Sequence, residues 1–151
     1  MSSVANLDWS TLPQWVADHI KLYHSDPEKA RMWQAPTPGL PPVQTLLLTM
    51  TGARSGQVRQ LPLIYGESGG VFLLVASRGG SADHPAWYKN LVANPDCEIQ
   101  VGAAHHLVRA RTATAQERPA LWDVMARVWP SYDEYQSRTT REIPVVVLEP
   151  R

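Results

Sequence analysis

Thirteen prolines spread over 151 residues set the scale of every element this chain can form. Proline lacks a backbone donor and clashes with the preceding helical turn, so each one stops or starts an element. The expectation is a set of short helices and strands with firm ends. The stretch 35–42, APTPGLPP, admits neither helix nor central strand and reads as a stiff connector. Before it, Leu12, Trp15, Val16, His19, Ile20 and Tyr23 fall at helical spacing, which predicts an amphipathic helix over residues 11–24, closed by Asp26-Pro27.

After the connector the period changes to two. Thr45–Thr51 reads as a compact apolar strand, 52–56 as a turn, and Arg59–Glu67 as a returning strand with Leu61, Leu63 and Tyr65 on one face. Residues 67–70 form a second turn before a strand over Val71–Ser77. A helix is expected over Pro85–Ala93, ended by Asn94-Pro95. A hairpin follows, Cys97–Val101 with His105–Thr114. Thr114 and Glu117 have capping-box spacing, predicting a helix to about Val128 that Pro130 stops. A short aromatic helix, Tyr132–Ser137, and a last strand, Ile143–Leu148, complete the chain. Strands outnumber helices and do not alternate with them, which disfavours a doubly wound parallel sheet. The pattern favours a small antiparallel barrel over 45–150 with helices at its rim, all in one domain of residues 1–151.

The totals exclude several classes of function. A chain of this length buries about 70% of its unfolded surface and needs no covalent staples. Its one cysteine, Cys97, rules out an internal disulfide and fits a reducing compartment. Fourteen basic and fourteen acidic residues give zero net charge, which argues against a general nucleic-acid binder. No run approaches the roughly 18 apolar residues that span a bilayer, and MSSVANLDWS lacks the features of a signal peptide. A cytoplasmic protein is expected. The apolar face of the N-terminal helix suits packing on the barrel or, alternatively, peripheral contact with a membrane.

Three segments carry candidate chemistry. In TGARSGQVR, Gly52 and Gly56 permit positive φ and close approach to a ligand, Arg54 and Arg59 supply permanent charge, and Ser55 and Gln57 supply donors. The same composition suits a solvated basic turn, and no Gly-Lys-Ser/Thr makes it a P-loop. Ala76-Ser77-Arg78-Gly79-Gly80 adds an arginine and two glycines where a strand opens into a loop, and Trp87 and Tyr88 follow at a helix N-terminus. Trp129, Tyr132 and Tyr135 offer aromatic walls, either for a planar ligand or for the end of the barrel. Metal and nucleophile chemistry is unsupported. His105 and His106 point to opposite faces of a strand, no HExxH or CxxC occurs, GGSAD fails the GxSxG pattern, and Cys97 has no activating neighbour.

In combination, Thr49–Leu63, Ala76–Pro95 and Pro130–Pro150 closely resemble the deazaflavin-dependent nitroreductase family of actinobacteria in order, spacing and content. Trp15-Val16-Ala17-Asp18-His19 with Tyr23 also looks like that family. The resemblance implies a split β-barrel of the FMN-binding type, mainly β with an N-terminal helix and rim helices. It implies coenzyme F420 as cofactor, no metal, and hydride transfer from the reduced deazaflavin to a quinone, a nitro-aromatic or a similar small-molecule acceptor. By carry-over, Arg54, Ser55, Gln57 and Arg59 would hold the phosphate and polyglutamate tail, and Pro62, Leu63 and Ile64 would line the deazaflavin. Ala76, Ser77, Arg78, Gly79 and Gly80 would cradle the ribityl phosphate region, with Trp87 and Tyr88 flanking the cofactor. Tyr65, Ser77, Tyr132 and Tyr135 would face the acceptor. The chain departs from the family at Trp129, often a tyrosine, and at Arg54, often a lysine. The other readings are an FMN-binding split-barrel oxidoreductase and a non-catalytic deazaflavin carrier. Under any of the three the chain is expected as a monomer or a homodimer.

Overall fold

The central hairpin explains the most apolar strand of the chain. In the computed structural model, which describes residues 12–36 and 38–151, β2 (Val43–Thr51) pairs antiparallel with β3 (Val58–Ile64), from Thr45 opposite Ile64 to Thr51 opposite Val58. Both faces of β2 are covered. Leu46, Leu48 and Met50 point into the barrel core, while Leu47 lies under α1 (Gln14–Ser25) with Val16, Ile20 and Tyr23. A strand buried on both sides has no polar face to show, so it reads as a continuous apolar run.

The last strand, β8 (Val145–Pro150), has the same logic. Val146 and Leu148 join the barrel core, and Val145 and Val147 join a second cluster beneath α4 (Arg118–Val128) and α5 (Ser131–Ser137). The remaining elements are α2 (Pro27–Arg31), β1 (Met32–Trp33), β4 (Gly66–Ser68), β5 (Val71–Val75), a 3-10 turn over Arg78–Gly80, α3 (Ala86–Ala93), β6 (Asp96–Val101) and β7 (Ala104–Thr112). All strand pairs are antiparallel, in the order β1-β2-β6-β7-β8-β5-β4 with β3 on β2. The sheet curls into a split barrel closed over one apolar core.

Several expectations are corrected. The first helix begins at Gln14, after Pro13, and residue 11 lies outside the described residues. Its buried face is Val16, Ala17, His19, Ile20 and Tyr23. Trp15, one position around the helix, stays 57% exposed. Val16, Ile20 and Tyr23 of that face pack with Ala30 and Leu47. Among the described residues no helix is long and apolar enough to cross a membrane. Asp26-Pro27 both ends α1 and starts α2, because Asp26 accepts from the Lys29 amide at 3.3 Å and Pro27 occupies the first helical position.

The expected strand Arg59–Glu67 breaks at Tyr65. Its first part pairs with β2, and its second, β4, crosses to β5. Gly66 sits at this corner under α4, where a Cβ would meet Met125 Sδ at 2.5 Å. The strand after it ends at Val75 rather than Ser77. The strand expected over Ile143–Leu148 runs Val145–Pro150, and β7 ends at Thr112.

The capping box forms. The Glu117 carboxylate accepts from the Thr114 amide at 2.8 Å, and Thr114 Oγ1 accepts from the Glu117 amide at 3.3 Å, although regular helix begins only at Arg118. Arg111 also donates to that carboxylate at 2.6 and 3.1 Å. These bonds, Arg111 first, hold the carboxyl at about 2, below its usual 4.5. A depressed folded-state value means that the unfolded chain binds the extra proton. This contribution is therefore full above pH 4.5 and is lost as pH falls toward 2. Urea unfolding across that window is expected to show a shallower acid loss for Glu117→Gln than for the parent. Equal slopes would place the acid sensitivity elsewhere.

Candidate functional site

Two clefts meet at one loop. The first, of about 550 Å³, has Pro62, Leu63 and Ile64 of β3 on one side and Ser77, Arg78 and Gly79 on another. Pro85 and Trp87 enter from the start of α3, and Tyr132 and Tyr135 from α5. Trp15, Trp33 and Trp129 complete the wall. Trp15 stacks on Trp33 with centroids 5.6 Å apart, and Trp33 tilts against Trp129 at 6.4 Å. This is a flat-sided, largely apolar space with few polar groups, which suits a planar conjugated ring.

The second cleft, of about 570 Å³, is lined by Arg54, Arg59, Arg78, His84 and Lys89 together with Gly52, Ala53 and Ser55. Arg78 lines both clefts. Its one acidic neighbour is Asp83, 3.9 Å away and exposed. Arg54, Arg59 and Lys89 make no ion pair with a described residue. The turn that presents Arg54 is built from its own backbone. Gly52 donates to Gln57 O at 2.8 Å, Gly56 to Gly52 O at 3.0 Å, and Gln57 to Ser55 Oγ at 3.1 Å. Asn90 Oδ1 of α3 accepts from the Ala53 amide at 2.9 Å and fixes the turn against the helix. Gly56 has φ +69, as a turn glycine should, whereas Gly52 is needed for space: a Cβ there would lie 2.8 Å from Ser55 Oγ. Convergent cations with free donors, beside a ring-shaped apolar slot, form an anion site joined to a planar site.

The loop between the clefts is strained. Arg78, Gly79 and Gly80 take φ of 44°, 62° and 83° in succession. Arg78 is the one residue other than glycine with positive φ among the described residues, a feature associated with functional sites.

Of the residues expected at the site, Pro62, Leu63, Ile64, Ser77, Arg78, Gly79, Trp87, Tyr132 and Tyr135 line the first cleft, and Arg54, Ser55, Arg59 and Arg78 the second. Gln57 supports from behind, accepting from Arg59 Nη1 at 2.9 Å. Ala76 is fully buried under the loop, and Gly80 faces α5, where a Cβ would lie 2.5 Å from Tyr135 O. Two of the expected residues stand outside the first cleft. Tyr65 does not line the first cleft: it is buried, its hydroxyl accepts from Arg31 Nε at 3.3 Å, and its ring packs edge-on to Phe72. Tyr88 turns to the other side of α3, bonding Thr112 Oγ1 at 2.7 Å and lining a separate pocket along β7.

Other groups were not foreseen. Trp33, His19 and Pro85 line the first cleft, and His84, Lys89 and Asn90 the second. His19 bonds the Ala30 carbonyl at 2.8 Å, and burial holds its pKa below the usual value, so it is neutral. Tyr132 is buried and its phenol pKa is pushed up by desolvation, keeping it protonated. Neither its hydroxyl nor that of Ser77 bonds a described residue. Both are free to donate to a ligand. Cys97 is inert, its thiol pushed up to about 12 by burial. No cluster of metal-ligating side chains occurs among the described residues.

Residues 35–150 match the family model described as F420H(2)-dependent quinone reductase. An F420H(2)-dependent quinone reductase of Mycobacterium tuberculosis strain H37Rv is 44% identical over 117 residues, covering 76% of this chain and 77% of that one. A solved structure described as an F420-H2 dependent reductase, FDR-A, superposes with a TM-score of 0.65 at 40% identity, over 70% of this chain and 93% of that one. A second structure, described as a domain-swapped dimer, has the same TM-score and identity over 70% of this chain and 79% of that one. The split barrel thus has relatives in both sequence and structure, and the chain belongs to the F420H(2)-dependent quinone reductase family.

Proposed function

We propose that this chain binds coenzyme F420 across the two clefts and reduces quinones with it. The observation that carries the reading is the continuity of an aromatic slot with a groove lined by Arg54, Arg59, Arg78 and Lys89, joined at Arg78. A flat ring with a long polyanionic tail needs both. A single phosphate, as in FMN, would leave most of these cations without an anion, so the flavin reading is the weaker one. Pro62, Leu63 and Ile64 would hold the ring, Ser77 to Gly79 its polar linker, and Arg54, Ser55 and Arg59 the anionic tail.

When bound in its reduced form, the deazaflavin supplies a hydride. The chain has to hold the acceptor beside it, keep water out during transfer and hydrogen-bond the carbonyl oxygen that gains charge, which takes its proton from solvent as the product leaves. The tryptophan wall serves the first two needs. Ser77 and Tyr132 carry the uncommitted hydroxyls, and a phenol whose pKa is raised by burial donates a hydrogen bond without ionising. Nitro-aromatic compounds are the proposed secondary acceptors, since a nitro group presents its oxygens in the same plane as the ring. The proposed assembly is a homodimer, which sedimentation velocity would distinguish from a monomer.

The purified chain should be titrated with F420 and, separately, with FMN, and then mixed with reduced F420 and menadione. Tight F420 binding with menadione-dependent loss of the reduced form supports the reading. Tight FMN binding alone overturns it, and binding without turnover identifies a carrier. Arg54→Ala and Arg59→Ala are each expected to weaken F420 binding by about tenfold, the worth of one charge-assisted hydrogen bond. Both should flatten the dependence of affinity on salt. Unchanged affinity in both variants would make the groove ordinary surface.

A further inference from the structure

Arg141 lines neither cleft, yet its side chain organises the loop that joins them. From the segment between α5 and β8 it reaches a loop sixty residues earlier. Its guanidinium donates through Nε to the Ser81 carbonyl at 2.7 Å and through Nη2 to the Ser77 carbonyl at 2.8 Å. Nη1 donates to His84 Nδ1 at 3.0 Å and to the Ala76 carbonyl at 3.3 Å. Four acceptors around one rigid fork nearly exhaust its five N–H groups.

The fork is itself anchored. The Arg141 carbonyl accepts from Gln136 Nε2 at 2.8 Å, and Gln136 Oε1 accepts from the Ile143 amide at 2.9 Å and from Arg118 Nη2 at 3.1 Å. Arg118 Nη2 also donates to the Ile143 carbonyl at 2.7 Å. A network running from α4 through α5 therefore ends on the loop. That loop contains the three successive left-handed residues, of which Arg78 adopts the conformation against the preference of its Cβ. With three loop carbonyls committed to Arg141, the opposite side, Ser77 to Gly79, is presented to the first cleft. His84 is set by the same fork. Because Nδ1 accepts from Arg141, the proton of the neutral ring sits on Nε2. Burial and the Arg141 charge both favour that neutral form. His84 lines the second cleft.

We propose that Arg141 is a positioning residue that holds the Ser77–Gly79 turn and His84 in the geometry both halves of the coenzyme site require. This rests on the coenzyme reading above. Arg141 acts through the loop and does not itself touch the ligand.

The test is F420 titration of the parent, Arg141→Ala and Arg141→Lys over a range of salt, well below each melting temperature. Arg141→Ala is expected to lose at least about tenfold in affinity. Arg141→Lys should lose a similar factor, because an ammonium keeps the charge but cannot span four acceptors. Both variants should keep the salt dependence of the parent, unlike Arg54→Ala, and low-millimolar guanidinium should restore binding to Arg141→Ala beyond a matched sodium salt. Three results overturn the proposal: parent-like affinity in Arg141→Lys, a flattened salt dependence showing direct contact with the anion, or a fall in melting temperature with affinity unchanged. A parent chain that binds no F420 overturns the coenzyme reading itself and this proposal with it. If Arg141→Ala does not fold, Arg141→Lys carries the test alone.

Discussion

Gly80→Ala is expected to lower the melting temperature by about 6–12 °C, about twice the drop for Gly79→Ala. Two penalties add at residue 80. Its φ of +83° is costly for any residue with a Cβ, about 1–2 kcal/mol. An added Cβ would also lie 2.5 Å from Tyr135 O and 3.1 Å from both Tyr135 Cα and Arg138 Cβ. Two of those atoms are helix backbone, which cannot swing aside, and overpacking of this kind costs about 1–3 kcal/mol. Together they make about 3 kcal/mol, and each kcal/mol moves the midpoint of a chain this size by about 2–4 °C. Gly79, with φ +62° and nothing within 4 Å, bears only the first penalty. Thermal unfolding of the pair separates close packing from backbone preference. A Gly80→Ala protein that melts no lower than Gly79→Ala would mean that α5 yields, and that the loop is not braced against Tyr135.

What was legible in the sequence follows from how far apart the interacting residues lie. The basic turn is local, and Gly52, Ser55, Gly56 and Gln57 bond one another within six residues, so its form could be read directly. The capping box at Thr114 and Glu117 is local in the same way. Long apolar runs marked β2 and β8 as strands, but only the structure shows that each separates two clusters.

The site is less transparent. Alternation placed Tyr65 with Leu61 and Leu63, and all three pack in the barrel core, but the strand ends before Tyr65 and its ring packs on Phe72 rather than facing the first cleft. Alternation fixes the face of a strand, not which cleft that face meets after a change of pairing partner. Tyr88 follows Trp87 directly on a short helix, so the two rings diverge by about 100° and only one can face the cleft. Trp33 carried no local signal at all. It belongs to a two-residue strand whose position depends on Trp33 pairing with Val43 across the proline connector. Arg141 is invisible for the same reason, since its acceptors lie some sixty residues away.

Trp33→Ala is expected to cut kcat/KM for menadione about thirtyfold while leaving F420 affinity within about twofold. Trp33 is the middle ring of the wall, stacked on Trp15 at 25° and tilted against Trp129 at 42°. The three rings come from α1, β1 and the end of α4, and Trp33 alone touches both of the others. Removing it takes away a face for the acceptor and lets the exposed Trp15 swing free. About 80 Å² of lost apolar contact at 25 cal/mol per Å² is about 2 kcal/mol, or about thirtyfold. Trp33→Phe retains a ring and should recover most of that loss. Trp129→Tyr should act more narrowly, because the indole Nε1 is only 3.4 Å from the Tyr135 hydroxyl and a phenol there would compete for the same partner. Steady-state kinetics beside F420 titration decides among the possibilities. Equal losses of F420 affinity and of turnover would assign the wall to the coenzyme. Unchanged values in both assays would mean that the acceptor enters by another face, and that the three tryptophans only pack α1 onto the barrel.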